Sequence, residues 1–79
     1  MNSSKYICKD NLNKLDLIIN KIKNQNIKMD YIKIFNNLNI KFNLLETNLL
    51  SPTTTNFDLY LLNYEIEKNI KEVNNKLLW

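Results

Sequence analysis

Residues 31–49 read YIKIFNNLNIKFNLLETNL, and their large apolar residues Tyr31, Phe35, Leu38, Phe42, Leu45 and Leu49 follow one another at gaps of 4, 3, 4, 3 and 4. Spacing that averages about 3.5 residues lays one stripe along an α-helix, and such a stripe is stable only when a second helix covers it. The run therefore predicts a helix over about 31–50, with a heptad seam that needs a partner.

A matching face lies downstream. Leu59, Leu62, Ile66, Ile70, Val73 and Leu77 fall on one side of a helix expected over about 53–78. Ser51 precedes Pro52, and a residue before proline is biased away from the helical region, whereas proline itself is well tolerated at a first helical position. Thr55 with Asp58 three residues on offers a second start, a variant of the capping box. Either start leaves a short link, so the two seams are expected to close as an antiparallel α-hairpin. Glu67 with Lys71, and Glu72 with Lys76, form i,i+4 pairs that mark the wet side of this helix.

Upstream, Asp10 reads as an N-cap, followed by Leu12, Leu15, Ile19 and Ile22 at gaps of 3, 4 and 3 with Ile18 alongside. This first helix is expected over about 11–24, ending in the polar cluster Lys23-Asn24-Gln25-Asn26. Its stripe cannot be carried into the Tyr31 seam without a two-residue phase jump. A loop absorbs the jump, and Asp30 is expected to cap helix two. The predicted fold is all-α: a small antiparallel three-helix bundle built on a heptad α-hairpin, in one domain over 1–79. Its parts are a leader over 1–9, helix one over 10–24, helix two over 30–50 and helix three over 52–79. In the leader, either Ser3 or Ser4 caps an early turn or Tyr6 and Ile7 fold back onto the bundle end.

With 79 residues, 44% of them hydrophobic, the chain is one small domain that buries only about 60–65% of its unfolded surface. Sixteen Asn, eleven Lys and ten Ile stand against no Gly, Ala, Arg or His. The favoured residues have A/T-rich codons, so the skew points to an AT-rich genome, such as that of a low-GC bacterium or phage, an insect virus or a protist, rather than to a prion-like role for asparagine. No stretch is apolar enough to span a membrane. Tyr6-Ile7-Cys8 is too short for the hydrophobic region of a signal peptide, and Cys8, the single cysteine, reads as a small buried hydrophobe rather than a reactive thiol. These features lead us to expect an intracellular, reducing compartment, cytoplasm or nucleus, in a host cell if the chain is viral.

Most chemistries are excluded by composition. Without His or Arg there is no Ser-His-Asp or Cys-His arrangement, no Glu-x-x-His metal pair and no arginine finger; without Gly there is no P-loop or dinucleotide fingerprint. Glu65 and Glu72, one heptad apart, are the nearest approach to a paired acid and base, and read as a solvated flank. The expectation is a non-enzymatic chain with no cofactor, no bound metal and no small-molecule substrate.

The surface left over by the hairpin points to a protein partner, as a hetero-complex or a homo-oligomer. Phe57, Tyr60, Leu61 and Tyr64 form a second stripe on helix three, continued by Lys68 and Lys71, and Ile40 and Leu44 are surplus on helix two. In an antiparallel hairpin the two patches meet near the Ser51-Pro52 turn, where helix one covers part of them or a partner does. Leu78 and Trp79 read either as the end of the core or, with Leu77, as an exposed anchor. The chain is thus expected to be a helical interaction module, either a small subunit of a larger assembly or a viral, phage or mobile-element accessory protein that binds and modulates a host protein. The alternative is a small basic nucleic-acid-binding regulator. The net charge of +3 resides in residues 1–46, where Lys14, Lys21 and Lys28 recur every seven residues as candidate phosphate contacts.

Overall fold

The computed structural model describes the backbone of residues 3–47 and 52–77 and the side chains of residues 5–46 and 57–77. Three helices follow in order: α1 (Ser3–Ile19), α2 (Gln25–Thr47) and α3 (Pro52–Leu77). They form a three-helix bundle, as the seams predicted, 42 Å long and 17 × 15 Å across. A 26-residue helix rises about 1.5 Å per residue, so α3 alone sets the length.

The direction of each helix follows from its cross-links. Lys5 at the start of α1 lies 3.0 Å from Glu46 at the end of α2. Lys41 in α2 lies 3.6 Å from Glu65 in α3, and the Tyr31 hydroxyl, at the other end of α2, donates to Glu72 at 3.5 Å. Both neighbours therefore run antiparallel to α2, which leaves α1 parallel to α3 in an up-down-up bundle.

The ends of the helices differ from the sequence expectation, and each difference has a local cause. α1 begins at Ser3, so residues 3–9, expected as a leader, are its first turns. Cys8 then precedes Leu12 by four residues and extends the α1 stripe to Cys8, Leu12, Leu15, Ile19 and Ile22, all buried. The helix stops at Ile19 rather than near Asn24. There Lys21 N–H bonds Ile18 C=O at 3.1 Å and Ile22 N–H bonds Ile19 C=O at 3.0 Å, the tighter i to i+3 pattern that closes a helix. No described residue has positive φ, so the turn is made without a left-handed cap.

Asn24, not Asp30, caps α2. Its side-chain oxygen accepts the Asn26 and Ile27 N–H groups at 2.9 and 3.2 Å, and its carbonyl accepts Lys28 N–H at 2.9 Å. Two of the four donors that a helix start leaves open are thereby satisfied. Asp30 falls in the second turn of the helix. α3 starts at Pro52, the earlier of the two expected starts.

Of the two predicted seams, Tyr31, Leu38, Phe42, Leu59, Leu62, Ile66 and Val73 are buried, and Phe35, Leu45, Ile70 and Leu77 are partly buried against them. Leu49 lies outside the described residues. All three helix pairs pack, and α1 with α3 most extensively. α1 and α3 bring aliphatic residues and a cysteine to the core, whereas α2 inserts Tyr31, Phe35 and Phe42. Each fully buried aliphatic side chain, such as Leu15 or Ile66, contributes about 1.5–3 kcal/mol relative to exposure.

Buried polar groups are matched. Asn11, 8% exposed on α1, donates to the Asn63 carbonyl oxygen at 2.6 Å and to Glu67 at 3.4 Å on α3. Asn69 donates to the Glu65 backbone carbonyl one turn earlier at 2.9 Å. Among the described residues no buried side-chain nitrogen or oxygen lacks a partner. A satisfied Asn at a helix seam fixes register, because any slip strands it without a partner.

Candidate functional site

Six residues set apart by the sequence as surplus remain on the outside of the bundle. Ile40, Leu44, Phe57, Tyr60, Leu61 and Tyr64 are between 49% and 67% exposed. α1 does not cover them: it closes the bundle on the other side of α2 and α3. Leu78 and Trp79, the remaining candidates for a partner surface, lie outside the described residues.

The six do not form a flat sheet. Between α2 and α3 runs a groove of about 320 Å³. Leu45 and Leu62 form its floor, Leu44 and Leu61 its walls, and Lys41, Asp58 and Glu65 its rim. The floor belongs to the core seam and the walls to the outer stripe, so the groove is where the core meets solvent between α2 and α3. The Lys41–Glu65 pair, about half exposed on both sides, spans the opening and is worth at most a fraction of a kcal/mol. It holds the edges apart as much as together.

On the far side of α3, Tyr60, Phe57 and Tyr64 point away from the core. A smaller depression of about 120 Å³ is lined by Tyr64, Glu67, Lys68 and Lys71, where the apolar stripe gives way to basic residues. The groove is thus apolar on its floor and walls and charged at its rim. Among the described residues no cluster of His, Cys, Asp or Glu has the geometry to hold a metal ion, and no described helix is long and apolar enough to cross a membrane.

The other candidates fare differently. Lys14 is exposed in the middle of α1, Lys21 lies in the turn beyond its end, and Lys28 is half-buried in the first turn of α2. The heptad spacing of the three assumed that helix one carries Lys21 beside its seam; because α1 stops at Ile19, they form no single stripe. Glu65 and Glu72 serve different neighbours, Lys41 and Tyr31, and do not meet as a pair. Glu67 and Glu72 make interhelical contacts in addition to standing one turn from Lys71 and Lys76.

Cys8 is the one reactive group in the core. It is fully buried, and burial pushes its thiol up to about 11, so it is protonated and inert near neutral pH. Tyr31 is also held above its ordinary value, first by burial and then by the neighbouring Glu72 carboxylate.

Sequence reasoning took Cys8 for a small buried residue, as it is, but did not place it on a seam, and it missed the Asn11–Asn63–Glu67 cluster. The four-residue gap from Cys8 to Leu12 was a usable signal. For Asn11 there was none, since it is one of sixteen asparagines. Tyr6 and Ile7, offered by the sequence as folding back onto the bundle end, instead lie exposed on α1, and the exposed Leu17 and Met29 were not set apart. No model of a known protein family matches the chain, nor does any curated protein or any solved structure, so its function is to be read from this face and its surroundings.

Proposed function

We propose that this chain is a non-enzymatic helical interaction module whose docking face is the outer side of α2 and α3. One observation carries the reading: the exposed Leu44 and Leu61 wall a groove whose floor is the core seam, and Phe57, Tyr60 and Tyr64 are exposed alongside Leu61 on the outer stripe of α3. Single exposed apolar residues are ordinary on a protein surface, whereas a contiguous patch bounded by charges marks an interaction site. The composition supports a binding role over catalysis, because the chain has no His, Arg or Gly from which the common catalytic and phosphate-binding arrangements are built. Such a module serves as a small subunit of a larger assembly or as an accessory protein that binds and modulates another protein, and an intracellular site of action accords with its free cysteine.

The test compares the wild-type chain with a Leu44→Asp/Leu61→Asp double variant, each recovered from its source cells and weighed intact by native mass spectrometry. The wild type is expected in a discrete complex with protein, stable to added salt. The variant is expected as the free 9.5 kDa chain with unchanged helical circular dichroism, because both positions are exposed. A complex that survives both substitutions overturns the reading. So does recovery of the wild type with nucleic acid alone, in a form that dissociates steeply with salt.

A further inference from the structure

We propose that the first occupant of this face is a second copy of the chain, packed along α3 antiparallel to the first about a twofold axis. The inference rests on the docking reading above and names its partner. The outer stripe of α3 continues past its apolar half in unbroken heptad rhythm: Phe57, Leu61, Tyr64, Lys68, Lys71 and Asn75 follow at gaps of 4, 3, 4, 3 and 4. It is a second seam on a helix whose first seam is already filled.

That seam is complementary to itself. A twofold interface requires that if one residue faces another, the same pair recurs with the copies exchanged. Centred between Leu61 and Tyr64, two antiparallel α3 helices place Leu61 of each copy opposite Tyr64 of the other, apolar against apolar. The same register places Phe57 of each copy opposite Lys68 of the other, an ammonium at an aromatic face, which is attractive. Tyr60 then lies beside Glu67 of the other copy, a hydroxyl donor beside a carboxylate. One like-charge approach arises, Asp58 toward Glu65 of the other copy, and it falls where Lys41 already lies 3.6 Å from Glu65 and offsets it. Leu44 and Ile40 flank the pair from α2.

The area is adequate. Taking about 150–250 Å² for a full large side chain, the exposed fractions of the six residues add to roughly 550–900 Å² per copy. A stable interface of standard size buries about 800 Å² per partner.

The purified full-length chain, alone, is expected to show twice its 9.5 kDa mass by sedimentation equilibrium at micromolar concentration. Leu61→Asp and Tyr64→Asp are each expected to weaken the dimer by about tenfold or more, with helicity unchanged because neither residue is buried. Register is read by mild oxidation of mixed single-cysteine variants, since the native Cys8 is buried. Leu61→Cys is expected to cross-link to Tyr64→Cys, and Phe57→Cys to Lys68→Cys, in preference to either with itself. A chain that stays monomeric to hundred-micromolar concentration overturns the inference, as does a dimer indifferent to both aspartate substitutions or one in which each cysteine prefers its own copy. Monomeric behaviour leaves the docking reading standing on the complex recovered from source cells; loss of that complex as well removes both.

Discussion

The two sides of α3 make a useful pair. Toward α1, the helix meets Cys8, Leu12 and Leu15 with Leu59, Ile66 and Val73, and seals the edge with the Asn11–Asn63 hydrogen bond. Toward α2, it meets aromatic rings and an exposed ion pair, and a groove remains. The groove is lined by aliphatic and charged side chains, and its floor, Leu45 and Leu62, belongs to the core. The same seam rhythm thus gives a closed interface on one side and an open one on the other.

The contrast breaks most visibly by truncation. Leu15→Ala removes a fully buried side chain and is expected to cost about 3 kcal/mol in urea unfolding followed by circular dichroism, enough to threaten folding of so small a domain. Leu44→Ala, on the open side, is expected to fall within about 0.5 kcal/mol of wild type. Comparable losses at the two positions would mean that the groove is closed in solution.

Alkaline titration sharpens the closed side next. The Cys8 thiol ionises near 9.0 when unfolded and only at about 11 when folded. Its contribution is therefore fully present below pH 9 and lost as pH rises through 11, because the unfolded state releases its proton first. Unfolding free energy is expected to drop by about 2–3 kcal/mol across that window, and a Cys8→Ala variant to lack this part of the drop. A pH profile identical in the two proteins would place the thiol in contact with water. Tyr31 adds a loss in the same direction, beginning near its ordinary 10.0.

The smallest effect concerns the polar seal. Asn11→Ala is expected to cost about 1 kcal/mol, and a double-mutant cycle with Asn63→Ala to show coupling of about 0.5–1.5 kcal/mol. Additive losses would mean that the two amides bond to water rather than to each other.

The sequence made the seams legible because large apolar residues at heptad gaps have few alternatives in a chain without glycine. Tyr31 through Phe42 and Leu59 through Val73 were read as core and are core. The outer residues were legible for the complementary reason: Phe57, Tyr60 and Tyr64 fall out of phase with the filled seam. Helix ends were not legible to the residue. Asparagine caps helices, lines loops and sits on exposed turns alike, and the stretch from Asn20 to Asn26 offers three of them. Only the geometry shows Asn24 accepting the first N–H groups of α2. Asp30 misled because an acidic residue near a helix start is favourable whether or not it is the cap. The groove depends on how far apart two helices stand, which no periodicity encodes.

The parallel pairing of α1 with α3 also governs how the chain comes to be folded. The bonds joining them link residues 52 and 56 positions apart, as far as Asn11 is from Asn63 and Glu67. A ribosome adding about 5–20 residues per second completes α1 and α2 seconds before the helix that shelters α1 exists. Throughout that interval Leu12, Leu15 and Ile19 lack the surface built to bury them. Of the three helices α1 is made before the others yet covered last, and synthesis slowed after residue 50 lengthens its exposure to aggregation and to chaperones.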